Sequence, residues 1–249
     1  MDAEFSFRLS LQIVAFIAYY RWAITAIGRA TRPAGRRLLD RLALVRSYTA
    51  DEVESTVSLF AATVGQAIFL ACPFVITEVS PGQLIPGTVR PDLLALGALL
   101  GVGEVSLASF LGYVGVRAIQ ASQGSSGSSS EWLMMGRGGW MRFYLRTAEI
   151  APWPLLILVT ALYVTAEEVF FRGILVTFLS PHGAVLAVVG STALFLAVQV
   201  FHMPSWRAAL LPAAGGLVVG VVHGVLFLLV PDLTPLVVAH FTLFLVLVW

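Results

Sequence analysis

Stretches of about 20 predominantly apolar residues recur along most of the chain, and that is the length a helix needs to cross the hydrocarbon of a bilayer. A soluble domain carries roughly a quarter of its residues as charges. Here 58% of 249 residues are hydrophobic, 12% are charged and the mean hydropathy is +0.89. The chain therefore reads as all-α: a polytopic integral membrane bundle of about seven transmembrane helices, since a helix satisfies its own backbone inside lipid. The lone Cys72 excludes a disulfide framework and a thiolate metal cluster. Met1-Asp2-Ala3-Glu4 is acidic where a signal peptide is basic, so the first apolar run is expected to stay in place as a span.

The first span is expected over Leu9 to Ile27, with Arg21 snorkelling towards an interface. Six arginines follow between Arg29 and Arg46, and Arg36 to Val45 has the two-faced pattern of an interfacial helix. The positive-inside rule places segments 29–56 and 120–148, both rich in arginine, on the cytoplasmic side. Thr49-Ala50-Asp51-Glu52 forms a capping box that opens a second span running to about Val79. Pro81, Gly82, Pro86 and Gly87 turn the chain, and Asp92 caps a third span that reaches Ile119 and contains Glu104. Gln123 to Ser130 has the composition of a flexible linker. It separates an N-terminal three-span region, 1–120, from a loop region at 121–148 and a four-span core at 149–249. In that core, Glu149 to Leu179 is too long to stand straight across the bilayer and must tilt, protrude or break. The remaining spans are expected to His202, over Arg207 to Val230, and from Thr234-Pro235, read as an N-cap and first helical proline, to Trp249. A bacterial plasma membrane is the expected location.

The groups that could do chemistry lie in the core. Ala166-Glu167-Glu168-Val169-Phe170-Phe171-Arg172-Gly173 sets two carboxylates and an arginine in an apolar run. Each ionised group there costs about 2.5–3.5 kcal/mol on insertion scales, so such groups mark a site or a structural ion pair. Glu168 and Arg172, four apart, share a helical face, and Glu167 points about 100° away. One carboxylate is thus clamped and the other is free to take a proton. Ser191, Phe195, Gln199 and His202 form a stripe on the next span, and His240 lies on the last. Glu104, among the small residues Gly101 and Gly103, either lines the same cavity or bonds to a neighbouring helix. His223 is expected to pack, and His182 lies in a loop.

Glu167-Glu168-x-x-x-Arg172-Gly173, the later His202-Met203-Pro204, and Pro235 followed by Ala239-His240 resemble the CPBP family, the CAAX-processing and bacteriocin-processing intramembrane proteases, over about Pro154 to Val248. The resemblance implies an endopeptidase acting on a membrane-associated, prenylated or leader-type peptide. Glu167 would activate a water, Glu168 would be held by Arg172, His202 would orient the water and His240 would polarise the scissile carbonyl. Gln199 and Phe195 would support them. Two positions depart from the family pattern. Gln199 stands four residues after Phe195, where the second motif has His, and Phe244 stands four after His240, where the third usually has Asn. A zinc enzyme holding its metal through Glu168, His202 and His240 is the alternative, although a metal-free glutamate mechanism is favoured and no cofactor is required. Membrane lipid and a peptide or lipidated protein are the expected partners, and no nucleic acid is. Two further classes stay open: a non-cutting scaffold or immunity-like relative, which Phe244 favours, and a proton-coupled transporter.

Overall fold

The computed structural model describes residues 3–41, 48–84, 90–123 and 135–248. Among them there is no strand. In chain order the helices are α1 (Ala3–Ile17), a π-helical turn (Ala18–Ala23), α2 (Ile24–Arg41), α3 (Ala50–Phe69), α4 (Ala71–Thr77), α5 (Pro91–Gln123), α6 (Trp140–Ile150) and α7 (Trp153–Glu168). A second π-helical segment (Val169–Val176) then leads through a short α8 (Thr177–Leu179) to α9 (Ala184–Phe201), α10 (Trp206–Leu229) and α11 (Thr234–Val248). Among the described residues six stretches are long and apolar enough to cross a membrane: Ala3–Arg37, Ala50–Thr77, Pro91–Gln123, Trp153–His182, Ala184–Phe201 and Trp206–Leu229. A shorter apolar helix covers Thr234–Val246. The protein is a polytopic helical membrane bundle.

Local chemistry explains where helices start and stop. The capping box at Thr49 is formed: its hydroxyl accepts from the Glu52 N–H at 3.3 Å, and the Glu52 carboxylate accepts from the Thr49 N–H at 2.6 Å. The second span is interrupted at Leu70, because Pro73 has no N–H to offer the Phe69 carbonyl. It ends at Thr77, with Glu78 in the left-handed region at φ 59°. There the Arg8 guanidinium, donating at 2.8 Å, holds the Glu78 carboxyl below its usual range.

Two expected helix starts and one expected helix end are corrected. Asp92 lies inside α5 rather than capping it; the Arg90 carbonyl takes the first helical bonds, and Asp92 pairs with the Arg90 side chain at 2.5 Å. Of the tilt, protrusion or break expected of the long fourth span, the break is what occurs, at Ala151-Pro152, where the Pro152 carbonyl receives the first N–H groups of a new helix. Thr234 is the first residue of α11, and its N–H donates to the Asp232 side chain at 2.7 Å. The first helix also continues well past Ile27, to Arg41. Gln123, the first residue of the expected linker, is the last of α5; the rest of that linker, 124–130, with Pro86, Gly87, Trp249 and the end of the expected interfacial helix, 42–45, lies outside the described residues.

The chain divides into two compact units that interleave in sequence: Met1–Glu78 with Trp140–Ala166, and Val79–Gly139 with Glu167–Leu247. In the first, the Tyr19 ring of the π-helical turn stacks on Phe69 at 4.2 Å, Gln66 donates to the Tyr20 hydroxyl at 3.2 Å, and Thr31 meets Ser58 at 2.9 Å. Arg36 pairs with Glu54 at 2.8 Å, and Arg142 and Arg146 reach Asp51 at 2.6 and 3.3 Å. Arginines from both basic segments therefore gather at the N-terminal end of α3, where Asp51 and Glu52 already face the helix dipole.

The second unit is built on close helix approaches. Gly97 and Gly101 of α5 lie against the backbone carbonyls of Pro235 and Ala239 in α11, leaving no room for a Cβ. Gly220 of α10 packs on Thr192 of α9, and Gly216 packs on Gln199. Small residues at these crossings let polar groups from separate helices meet at the centre.

Candidate active site

The acidic motif lies where α7 passes into its π-helical segment. From Phe170 to Val176 every residue is buried, and Gly173 is pressed against Leu84 and Leu233. A π turn widens the backbone and frees carbonyls from the regular ladder, and such turns recur at functional sites. The Phe171 carbonyl accepts from the Ser191 hydroxyl at 2.7 Å, tying the segment to α9.

The Arg172 guanidinium lies among polar and aromatic partners. Its Nη1 donates to Glu168 Oε1 at 3.2 Å, its Nη2 donates to the Val219 carbonyl at 2.8 Å, and its carbon lies 4.6 Å from the Phe195 ring centroid. The expected clamp of Glu168 by Arg172 is therefore present, with α10 and α9 completing it.

Glu168 does more than pair with arginine. Its Oε1 also lies 2.7 Å from His240 Nδ1, and its Oε2 lies 3.1 Å from His223 Nδ1. The other nitrogen of His240 faces Glu167 Oε2 at 3.7 Å, and the other nitrogen of His223 faces Glu104 Oε1 at 2.9 Å. The two His223 contacts have ion-pair distances without the alignment of good hydrogen bonds. Glu104, His223, Glu168, His240 and Glu167 thus form an unbroken alternation of carboxyl and imidazole groups from α5, α10, α7 and α11. All five are at most 2% exposed, and Arg172 is fully buried.

The structure brings together Glu104, Glu167, Glu168, Arg172, Phe195 and His240 of the sequence-derived set. Phe195 lies edge-on to His240 at 5.7 Å, and Phe244 lies 5.4 Å from the same ring. Gln199 is buried one turn beyond Phe195, against Gly216. His202 is the half-buried C-cap of α9. It stands seven residues beyond Phe195, about 10 Å further along the helix axis. His223, expected only to pack, lies instead at the centre. Its sequence neighbours are apolar or small, so nothing local marks it; a spacing of four from Val219 merely places it on the α10 face that carries the Arg172 acceptor.

Whether Glu168, His202 and His240 could hold zinc is answered by their surroundings. Among the described residues no three His, Cys, Asp or Glu side chains are arranged to hold a metal ion. Glu168 Oε1 is already engaged by Arg172 and His240, and a guanidinium beside it repels a divalent cation. The present arrangement does not fit that metal set.

Residues 149–246 match the family model described as Type II CAAX prenyl endopeptidase Rce1-like. Comparison with curated proteins and with solved structures gives no match.

Proposed function

We propose that the protein is an intramembrane endopeptidase that cleaves a membrane-associated, prenylated or leader-type peptide with a glutamate-activated water, a reading supported by the match of residues 149–246 to the Rce1-like family model. The observation that carries this reading is that Glu167 Oε2 faces His240 Nε2 at 3.7 Å, beyond direct hydrogen-bond distance, so that a candidate base and an imidazole meet at one point. Glu167 takes a proton from the attacking water as its oxygen adds to the scissile carbonyl carbon. His240 donates to Glu168 from Nδ1, which fixes the ring and turns Nε2 towards the water and the scissile carbonyl. Collapse of the tetrahedral intermediate breaks the C–N bond, and the leaving amine takes the proton from Glu167. Glu168, clamped by Arg172, orients the imidazole as the carboxylate of a catalytic triad does. No step passes through a metal. The arginines around Asp51 support placing segments 29–56 and 120–148 together on the cytoplasmic side, and membrane lipid is the surrounding partner.

Glu167→Gln in folded, membrane-inserted protein is the direct test. Cleavage of a lipidated peptide should fall by about 10²–10⁴-fold, the usual contribution of a general base; unchanged cleavage would sink the reading. A second reading, a relative that binds such peptides without cutting, is favoured by Phe244, whose apolar ring sits beside His240 where an amide would otherwise help hold the oxyanion. Peptide binding by the wild type with no product would support it.

A further inference from the structure

The reaction outlined above uses Glu167, Glu168, Arg172 and His240, and leaves two buried ionisable groups of the same cluster without a task. Glu104 comes from α5 and His223 from α10; they are 2% and 0% exposed. A carboxyl and an imidazole buried in a membrane helix bundle are costly and are retained where they act on something. His223 lies between two carboxyls, 2.9 Å from Glu104 and 3.1 Å from Glu168, and its ring stands 6.0 Å from that of His240. Glu168 Oε2 faces His223, while Oε1 is shared by Arg172 and His240. The rotation of the Glu168 carboxyl, and with it the aim of His240, therefore depends on what stands at His223.

The approach of α5 is built to deliver this arm. Gly97, Gly101 and Glu104 follow one another at spacings of four and three on one helical face. The two glycines lie against α11 at Pro235 and Ala239, the residue next to His240. Glu104 is carried one turn further, into the cluster.

Resting on the endopeptidase reading, we propose that His223 and Glu104 are positioning residues: Glu104 orients His223, His223 fixes the Glu168 carboxyl, and Glu168 in turn aims His240 at the reacting centre. Neither touches the substrate. The supporting imidazole comes from α10, through His223, and not from the end of α9, where His202 stands.

The experiment uses the full-length protein in lipid vesicles, with His223→Gln and the isosteric Glu104→Gln. Each is expected to lower kcat by about tenfold to a hundredfold, as loss of an orienting partner does, with KM within about twofold. The double variant should be no worse than His223→Gln alone, because the two act in series, and Glu104→Asp should restore part of the loss. A readout independent of cleavage is the ¹⁵N resonance pair of His240 in histidine-labelled protein, assigned through His240→Gln. Both variants should move the Nδ1 signal, because its hydrogen bond to Glu168 changes. A purely structural pair would lower thermal stability and leave the kcat to KM split and the His240 signal as in the wild type, which would overturn the proposal. Should His223→Gln fail to fold, Glu104→Gln carries the same expectations. If the wild type does not cleave, or Glu167→Gln cleaves as well as the wild type, the endopeptidase reading fails, while the His240 signal still decides whether Glu104 and His223 position it.

Discussion

Glu168 and Glu167 are adjacent in sequence and different in circumstance. Glu168 has both oxygens engaged, by a guanidinium and two imidazoles, whereas Glu167 meets His240 at the longer distance of 3.7 Å. The clamp is a buried ion pair, and removing one member leaves a charge without a partner. Arg172→Leu should therefore destabilise the fold by about 3–5 kcal/mol, measured by thermal or denaturant unfolding in detergent. A loss under 1 kcal/mol would mean that Glu168 sheds its charge readily when alone. This much was legible from the four-residue spacing within an apolar run. The partnership with His223 was not, because the two are 55 positions apart and only packing makes them neighbours.

Among the elements, α5 and the π-helical segment decide where these side chains stand. The Ala239 carbonyl occupies the position a Cβ on Gly101 would take. Gly101→Val should push α5 from α11, cost about 1–3 kcal/mol through overpacking, and reduce cleavage by withdrawing Glu104 from His223. Equal stability and equal activity would show that the crossing tolerates separation. The break at Pro152 matters as well. With α7 beginning at Trp153, whose ring is 58% exposed as an interfacial residue would be, Glu167 lies about 21 Å along the helix at 1.5 Å per residue. A helix that began at Glu149 would have set it about 6 Å deeper.

For the molecule as a whole, the ionisable groups of the cluster are at most 2% exposed, so on the endopeptidase reading the site opens before a peptide and a water reach it. Peptide cleavage is accordingly expected to depend on lipid composition and bilayer thickness more than on the sequence around the scissile bond. Metal chelation gives a sharper test: cleavage should persist in the presence of a strong zinc chelator, and loss of activity restored by added zinc would reinstate a metal mechanism. Orientation can be checked by placing a cysteine at residue 127 in a Cys72→Ala background. A membrane-impermeant maleimide should label it in inverted vesicles and leave it unlabelled in intact cells; the reverse pattern would invert the topology.

By itself the sequence determined the membrane class, the approximate spans, the helix cap at Thr49 and the acidic motif, because hydrophobic length, capping chemistry and i to i+4 spacing are local properties. Only the tertiary structure decided which polar residues meet. His223, Glu104 and His240 come from three helices, and no local period relates them. His202, close in spacing to Gln199, is carried to the end of its helix, while His223 is carried to the centre. Such a meeting is set by where glycines let helices approach and where a π turn redirects a side chain, and those distances exist only after the chain has packed.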